Sequence, residues 1–494
     1  MEPPSAVSAE GAVVIGPAAG RDSDEVTTIL EPLLAIRRAS KEDIKISVSG
    51  GLEVEARAIP VRERLASLDV FRGLTIAIMI LVDDGGGKWP AINHSPWNGV
   101  TLADFVMPAF LFIVGLSITL AYKRVPSKWA ATVKALSRTL KLWLLGVLLQ
   151  GGYYHGLNDL AYGVDVQLIR WCGILQRIGL AYLVVTLCEI WNPRVSSLSL
   201  PDGTHAILKM YFWHWVVAGL LSTVYLILLY GLYVPDWEFV PSTDPSSVLK
   251  VKCGVRGDLN PPCNAVGYLD RLLLGINHLY KNPMYKRTKD CSINSPDYGP
   301  MPVDAPNWCL APFDPEGLLS SVSAVCSCFI GVHYGHILVH MKGHSNRVTH
   351  WAIPAFVMIL IGITLHYLGI PLNKPLYSLS YVFLTAGAAG LVFVAMYLLV
   401  DVYGIRWPTI LFEWMGMNSL LLYVLVACGV AAAAIQGLYW QTPEQNLVDY
   451  VEEHSFQVIF SSGRIAKLAY VLFEIIIWSF VAGALHAKGI YWKF

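Results

Sequence analysis

The sequence predicts an all-α, polytopic membrane protein of about ten transmembrane helices with a long cysteine-bearing exoplasmic loop. Three observations carry that prediction. The 494 residues are 55% hydrophobic and only 15% charged, with a mean hydropathy of +0.50; soluble domains usually carry about 25% charged residues. The 16 Trp and 24 Tyr suit the two interfaces of a bilayer. Mostly apolar stretches of about 20 residues, the length that crosses a hydrocarbon core, recur along the chain. Net charge is zero, and no basic tract carries interleaved aromatics, so nothing marks a nucleic-acid partner.

The first 60 residues differ from the rest. MEPPSAVSAEGAVVIGPAAGRDSDEV is small and polar, and cannot bury enough apolar surface to offset the entropy of ordering. Residues 1–60 therefore read as a disordered tail. The tail has no basic region followed by an apolar core, so it is not a signal peptide and is expected to stay in the cytosol. The apolar cores follow at 67–82, 103–122, 136–151, 172–191, 210–232, 317–341, 350–370, 378–401, 409–435 and 466–486. They make 61–494 one transmembrane domain, with no convincing internal repeat.

Charge orients the spans. The second loop holds Lys123, Arg124, Lys128, Lys134, Arg138 and Lys141, whereas the first holds Lys88 beside Asp83 and Asp84. Lys342 and Arg347 mark the sixth loop, and Lys488 and Lys493 the C-terminus. The Lys/Arg-rich side is the cytosol, so both termini are expected there, and the odd-numbered loops face the exterior or a lumen. The fifth loop, 233–315, contains Cys253, Cys263, Cys291 and Cys309. Four cysteines in an exoplasmic loop read as two disulfides, with three connectivities open. Four free thiols in a cytosolic loop is the competing reading.

Ionisable and polar groups inside spans are candidates for function, weighed against packing. Asp69 and Arg72 share a face of the first span and can pair. Arg64 and Arg72 would form a basic mouth for an anionic ligand, or Arg72 would snorkel to headgroups. Gln176 and Arg177 in the fourth span and Glu474 in the tenth would pair or line a cavity. His333, His336 and His340 lie near one face of the sixth span. His333 and His340 are about 10 Å apart along the helix, too far to share an ion unless other segments contribute. No metal is expected. Asn418 and Ser419 in the ninth span read as interhelix glue or as part of a site.

The densest chemistry lies between the first two spans, in VDDGGGKWPAINHSPWNGVTLAD, Val82 to Asp104. The glycines let the backbone leave the helix, and Trp89 and Trp97 fit the interface belt. Asp83, Asp84 and Asp104 offer carboxylates around His94. A histidine accepts a proton near neutral pH or attacks a thioester itself, and a carboxylate beside it fixes its tautomer. The plainer reading of His94 is an interfacial hydrogen-bonding loop residue.

LDVFRG, GGGK with NHSPWNGVTLADFVMPAFLFIVG, GILQRIGLAY, GYLDRLLLGINHLY, FDPEGLLSS, NKPLYSLSYV, GMNSLLLY and KGIYWKF occur in that order from about residue 64 to the end. Together they resemble the heparan-α-glucosaminide N-acetyltransferase family. The resemblance implies a membrane enzyme that takes acetyl from cytosolic acetyl-CoA and gives it to the amine of a terminal glucosamine in the lumen of a lysosome or vacuole. The family's active-site histidine maps onto His94. Asp69, Arg72, Gln176, Arg177, Glu316 and Asn418 fall on family positions; Arg64, Arg72, Gln176, Arg177 and Asn418 are the residues expected to bind acetyl-CoA, with Arg64 and Arg72 suiting its phosphates. The chain departs from the family in carrying Asp83-Asp84 where relatives have an Asn-Tyr pair. It also has the polar tail where animal members have a luminal domain and one further span, which reads as a member without that domain.

The mechanism expected from the resemblance puts His94, assisted by Asp83 or Asp104, as the base that deprotonates the acceptor ammonium. The amine would attack the thioester directly, and an acetyl-imidazole on His94 is the alternative route. The expected partners are acetyl-CoA, an amino-sugar acceptor and the lipid bilayer, with a homodimer left open. A multi-pass transporter of a sugar or anion is the competing class, and would show broken helices at paired positions of two repeats. A receptor or scaffold would leave His94 dispensable.

Overall fold

The computed structural model describes residues 45–48, 52–55, 65–123, 125–153, 163–164, 166–192, 204–241, 246–442, 445–460 and 462–492. Arg64 and most of the predicted tail lie outside them. Residues Met1–Leu65 form one unit, of which an antiparallel pair, Lys45–Val48 with Leu52–Glu55, is described. Ala66–Phe494 forms the other.

The second unit is helical wherever an apolar core is predicted. Its long helices are α1 (Ala66–Gly85), α2 (Leu102–Ala121), α3 (Lys128–Gly151), α4 (Ile174–Trp191), α5 (Phe212–Gly231), α6 (Leu318–His340), α7 (His344–Tyr367), α8 (Leu379–Val402) and α9 (Gly463–Ala487). Among the described residues, α2 and α4 to α9 are seven helices long and apolar enough to cross a membrane. The ninth predicted core is a broken helix, Trp407–Met417 and Ser419–Ala427 bent by 74°, which makes an eighth span if counted as one. The first and third predicted cores also form helices, but more polar ones. Asp69, Arg72, Asp83 and Asp84 ride on α1, and Lys134, Arg138 and Lys141 on α3.

Close approach of backbones holds the bundle, the usual device where apolar burial gives no preference for protein over lipid. A Cβ on Gly115 of α2 would lie 2.0 Å from the Cys328 carbonyl oxygen of α6, and one on Gly331 of α6 2.1 Å from that of Phe112. Phe112 stacks edge-on against Tyr334 in the same seam. A second buried cluster, with Ile76, Ile80, Met415, Leu422 and Val471, joins α1 to the broken helix and α9.

The cysteine-bearing loop is a folded cap. Tyr233–Val234 pairs with Val255–Arg256, and Trp237–Phe239 with Leu249–Val251. A helix, Ala265–Leu274, follows, capped by the Asn264 side chain, which accepts the Gly267 N–H. Of the three open connectivities the structure has Cys253–Cys263 and Cys291–Cys309. Cys172, Cys188, Cys326, Cys328 and Cys428 are free, as expected for small residues in apolar spans. Trp97, from the loop between α1 and α2, plugs the cap. It packs edge-on against Tyr285 and Phe313 and donates its indole N–H to Leu259 O at 3.0 Å. The two segments predicted to be exoplasmic thus meet at one end of the bundle.

Candidate active site

The site is assembled where α2 begins. Thr101 and Asp104 form a capping box, with Asp104 Oδ2 accepting the Thr101 N–H at 3.0 Å. The same oxygen accepts the Ser95 N–H at 3.1 Å. Oδ1 is left to hold His94 Nδ1 at 2.8 Å. Asp104 is wholly buried, and Tyr381 donates its hydroxyl to the Asp104 main-chain oxygen. The sequence T-x-x-D therefore fixes the carboxylate as part of the helix start, and the chain ten residues earlier delivers the imidazole to it.

A third group stands there, Lys374, which the sequence does not mark as a site residue. Lys374 Nζ is 2.9 Å from His94 Nδ1, 3.3 Å from Nε2 and 3.7 Å from Asp104 Oδ1. It is carried by the turn between α7 and α8, which docks on the His94 loop. Gly99 N–H donates to Leu372 O at 2.8 Å, and Asn373 Nδ2 donates to Trp97 O and to Asn98 Oδ1, both at 3.1 Å. Tyr377 in this turn adopts a φ of 54°, a left-handed conformation rare outside glycine, and its hydroxyl meets Ser327 at 3.0 Å. The one hint in the sequence was Lys374 itself, a lysine before Pro375 at the mouth of a span.

His94 is further fixed through its backbone. Asn93 Oδ1 accepts the His94 N–H at 2.8 Å and an Arg287 Nη1 proton at 3.1 Å. Arg287 comes from the cap, is buried, and donates from Nε to Pro296 O at 2.8 Å, while its Nη2 has no partner. Burial and the neighbouring Lys374 ammonium hold the His94 pKa below its ordinary 6.5, against the opposing pull of Asp104. The imidazole thus stays neutral into mildly acidic solution, with Asp104 at Nδ1.

Behind the histidine lies an ion cluster. Arg170 donates to both oxygens of Asp314, at 2.7 and 2.6 Å, and also to Glu316. Burial alone would raise the Glu316 pKa, but Arg170, Arg177 and Lys374 bring it below the usual carboxylate value. Arg177 donates to Pro315 O at 2.8 Å, Ser320 Oγ at 2.5 Å and Ser321 Oγ at 3.1 Å.

The remaining expected residues scatter. Asp83 is exposed at the end of α1 and makes no hydrogen bond to His94, so Asp104 is the carboxylate partner. Arg177 and Gln176 do not pair with Glu474; Glu474 instead accepts the Trp478 indole N–H at 3.3 Å. Gln176 packs on Gly146, its two side-chain polar atoms buried without partners. Arg72 donates to Asp69 at 2.8 Å, Ser117 Oγ at 3.1 Å and Gly416 O at 3.4 Å. Ser117 is three to four turns beyond Asp104 on α2, roughly 20 Å away at the rise of an α-helix. Arg72 and Arg177 are therefore at opposite ends of the bundle. Asn418, at the break between Trp407–Met417 and Ser419–Ala427, shares the Arg72 end through Gly416 two residues earlier and accepts the Trp492 N–H at 3.4 Å.

The comparisons with known proteins agree on one family. Residues 64–233 match the family model described as heparan-alpha-glucosaminide N-acetyltransferase, catalytic. The mouse (Mus musculus) protein called heparan-alpha-glucosaminide N-acetyltransferase is 31% identical over 432 residues, which cover 83% of this chain and 60% of that relative. The human (Homo sapiens) protein of the same name is 32% identical over 388 residues, 73% of this chain and 52% of the relative. The chain thus spans about half to three-fifths of the length of these curated relatives.

Proposed function

From its similarity to the heparan-alpha-glucosaminide N-acetyltransferase family, we propose that the chain is a member of it, a transmembrane N-acetyltransferase that uses His94 as general base. The donor is acetyl-CoA from the cytosol. The acceptor is the amine of a luminal amino sugar, a terminal α-glucosaminide or a relative of it. The membrane is that of a lysosome or vacuole, with both termini in the cytosol.

The observation that carries this reading is the 2.8 Å contact of Asp104 with His94 Nδ1. A carboxylate there favours the tautomer whose Nε2 lone pair is available. In the reaction, His94 takes a proton from the acceptor ammonium. The freed amine attacks the thioester carbonyl, the C–N bond forms, the C–S bond breaks, and CoA leaves as a thiolate that takes the second proton of the attacking nitrogen, while the proton on His94 passes to solvent. Lys374 is suited to stabilising the oxyanion that develops on the carbonyl oxygen. Direct transfer in a ternary complex is favoured over an acetyl-His94 intermediate.

Arg72, with Asn418 nearby and Arg64 in the chain before it, suits the phosphates of CoA. The roughly 20 Å between Arg72 and the Asp104 end of α2 agrees with a donor whose phosphates and thioester sit at opposite ends of an extended arm. The test is transfer of labelled acetyl from acetyl-CoA to a panel of amino sugars by purified protein, with His94→Ala beside it. Transfer lost in a folded mutant supports the proposal. CoA binding without transfer to any amine overturns the acceptor, and substrate accumulation without acetyl-CoA turnover favours a transporter. A labelled acetyl-enzyme that chases to product overturns direct transfer.

A further inference from the structure

The three histidines of α6 part company in the structure. His340 Nε2 pairs with the Tyr211 hydroxyl at 2.8 Å, and His333 packs against Trp215. His336 turns to other helices. Its Nε2 is 3.0 Å from Oε2 and 3.3 Å from Oε1 of Glu189, at the end of α4. His214 Nε2, from the first turn of α5, is 2.9 Å from the same Oε2. The segments missing from a one-helix metal site are thus supplied by α4 and α5.

The donor atoms of Glu189, His214 and His336 all lie within 4.8 Å of one another. The residues are 5%, 4% and 2% exposed. The two imidazoles are the hydrogen-bond partners of Glu189 among the described residues. A carboxylate buried among spanning helices requires a compensating positive charge. Two imidazole nitrogens and one carboxylate oxygen are a zinc donor set, with metal–ligand distances of about 2.0–2.2 Å, which place tetrahedral ligands roughly 3.3 Å apart. The carboxylate–imidazole spacings of 2.9 to 3.3 Å are within a few tenths of an ångström of that. Tyr211 stacks on His336 and meets His214 edge-on, so both rings are held facing the carboxylate.

We infer that Glu189, His214 and His336 bind a divalent transition-metal ion, zinc by donor chemistry, which ties α4, α5 and α6 together at the end of the bundle remote from His94. A fourth position remains for water. The ion is structural, since His336 lies four to five turns beyond Ser320 on α6, and Ser320 bonds the Arg177 that belongs to the His94 end. The inference is independent of the acetyl transfer proposed above.

The test is elemental analysis of the full chain, purified in detergent without chelator and reloaded with zinc or cobalt(II). The expected result is about one ion per chain, lost in Glu189→Gln and in His336→Asn, with a fall in Tm when the ion is removed. Should the variants not fold, X-ray absorption on the wild type decides, and a shell of two imidazoles and oxygen is expected. No bound ion after loading, a shell containing sulfur, or an ion retained by both variants would overturn the inference. The first outcome would leave a proton as the compensating charge.

Discussion

Asp104 holds its own helix with one carboxylate oxygen and His94 with the other. Oδ2 takes the Thr101 and Ser95 N–H groups, and Oδ1 takes the imidazole at 2.8 Å. The stability of a helix start and the orientation of the proposed base are thus carried by one side chain, and they can be separated. Asp104→Asn keeps an oxygen for the cap but puts a neutral amide against Nδ1. The expected loss in kcat is about 10²–10⁴-fold, the usual worth of a positioned base. Thr101→Ala should instead cost about 1 kcal/mol of stability through the cap, with a smaller effect on rate. Kinetics and thermal unfolding of the two variants check this, and an Asp104→Asn enzyme within twofold of wild type would refute it.

The Lys374 ammonium, 2.9 Å from His94, makes a pH prediction with a definite sign. Burial first and Lys374 second hold the His94 pKa below 6.5. The base works when neutral, so kcat/KM should rise through that depressed pKa and stay high as pH increases. Lys374→Met removes a charge that repels the proton. The pKa should then move up, so that on top of the general loss from removing the oxyanion-stabilising ammonium, activity falls most at acidic pH. A pH profile of both proteins checks this, and an acid limb that stays put or moves down would contradict it.

Most of this site was legible where chemistry is local. His94 and Asp104 share one loop–helix junction, and the capping pattern alone brings Asp104 Oδ2 to Thr101. Lys374 was not legible, because its position depends on the turn between α7 and α8 pairing with Asn98 and Gly99, more than 270 residues earlier. Arg287 was hidden in the same way, since its contact with Asn93 requires the folded cap. The apolar cores fixed the helices but not their breaks. The bend falls at Asn418, whose backbone leaves the helical region at φ −116° and ψ 32°. Among the described residues it is the one bent pair, without the matching break that an inverted repeat would require. Nor was the distance between Arg72 and Arg177 legible, because it depends on the first and fourth spans entering the bundle from opposite sides, which puts their N-terminal residues at opposite ends.

The α2–α6 seam gives a stability prediction. A side chain at Gly115 meets the Cys328 carbonyl oxygen at 2.0 Å, a backbone atom that cannot rotate away. Gly115→Ala should cost about 1–3 kcal/mol, and Gly115→Val more, because the helices must separate. Gly87, in the turn after α1, has nothing within 4 Å of a Cβ. Gly87→Ala should fall within about 0.5 kcal/mol of wild type. Thermal unfolding in one detergent ranks the three, and equal Tm values for Gly115→Ala and Gly87→Ala would contradict the packing.

The Arg72 end tests where the donor is held. If Arg72 binds a CoA phosphate, Arg72→Met removes binding made equally in ground and transition states. KM for acetyl-CoA should then rise about tenfold, with kcat within about twofold of wild type. If Arg72 serves only its contacts with Asp69, Ser117 and Gly416, the substitution should lower Tm and leave KM for acetyl-CoA unchanged. Asp69→Asn separates the two. It weakens the pair while keeping the guanidinium, so under the first reading acetyl-CoA KM stays near wild type, and under the second Tm falls much as in Arg72→Met. Salt supplies a further check, because a phosphate contact in an open mouth weakens as ionic strength rises. An acetyl-CoA KM that increases with salt in wild type but not in Arg72→Met would locate the donor's phosphates at Arg72.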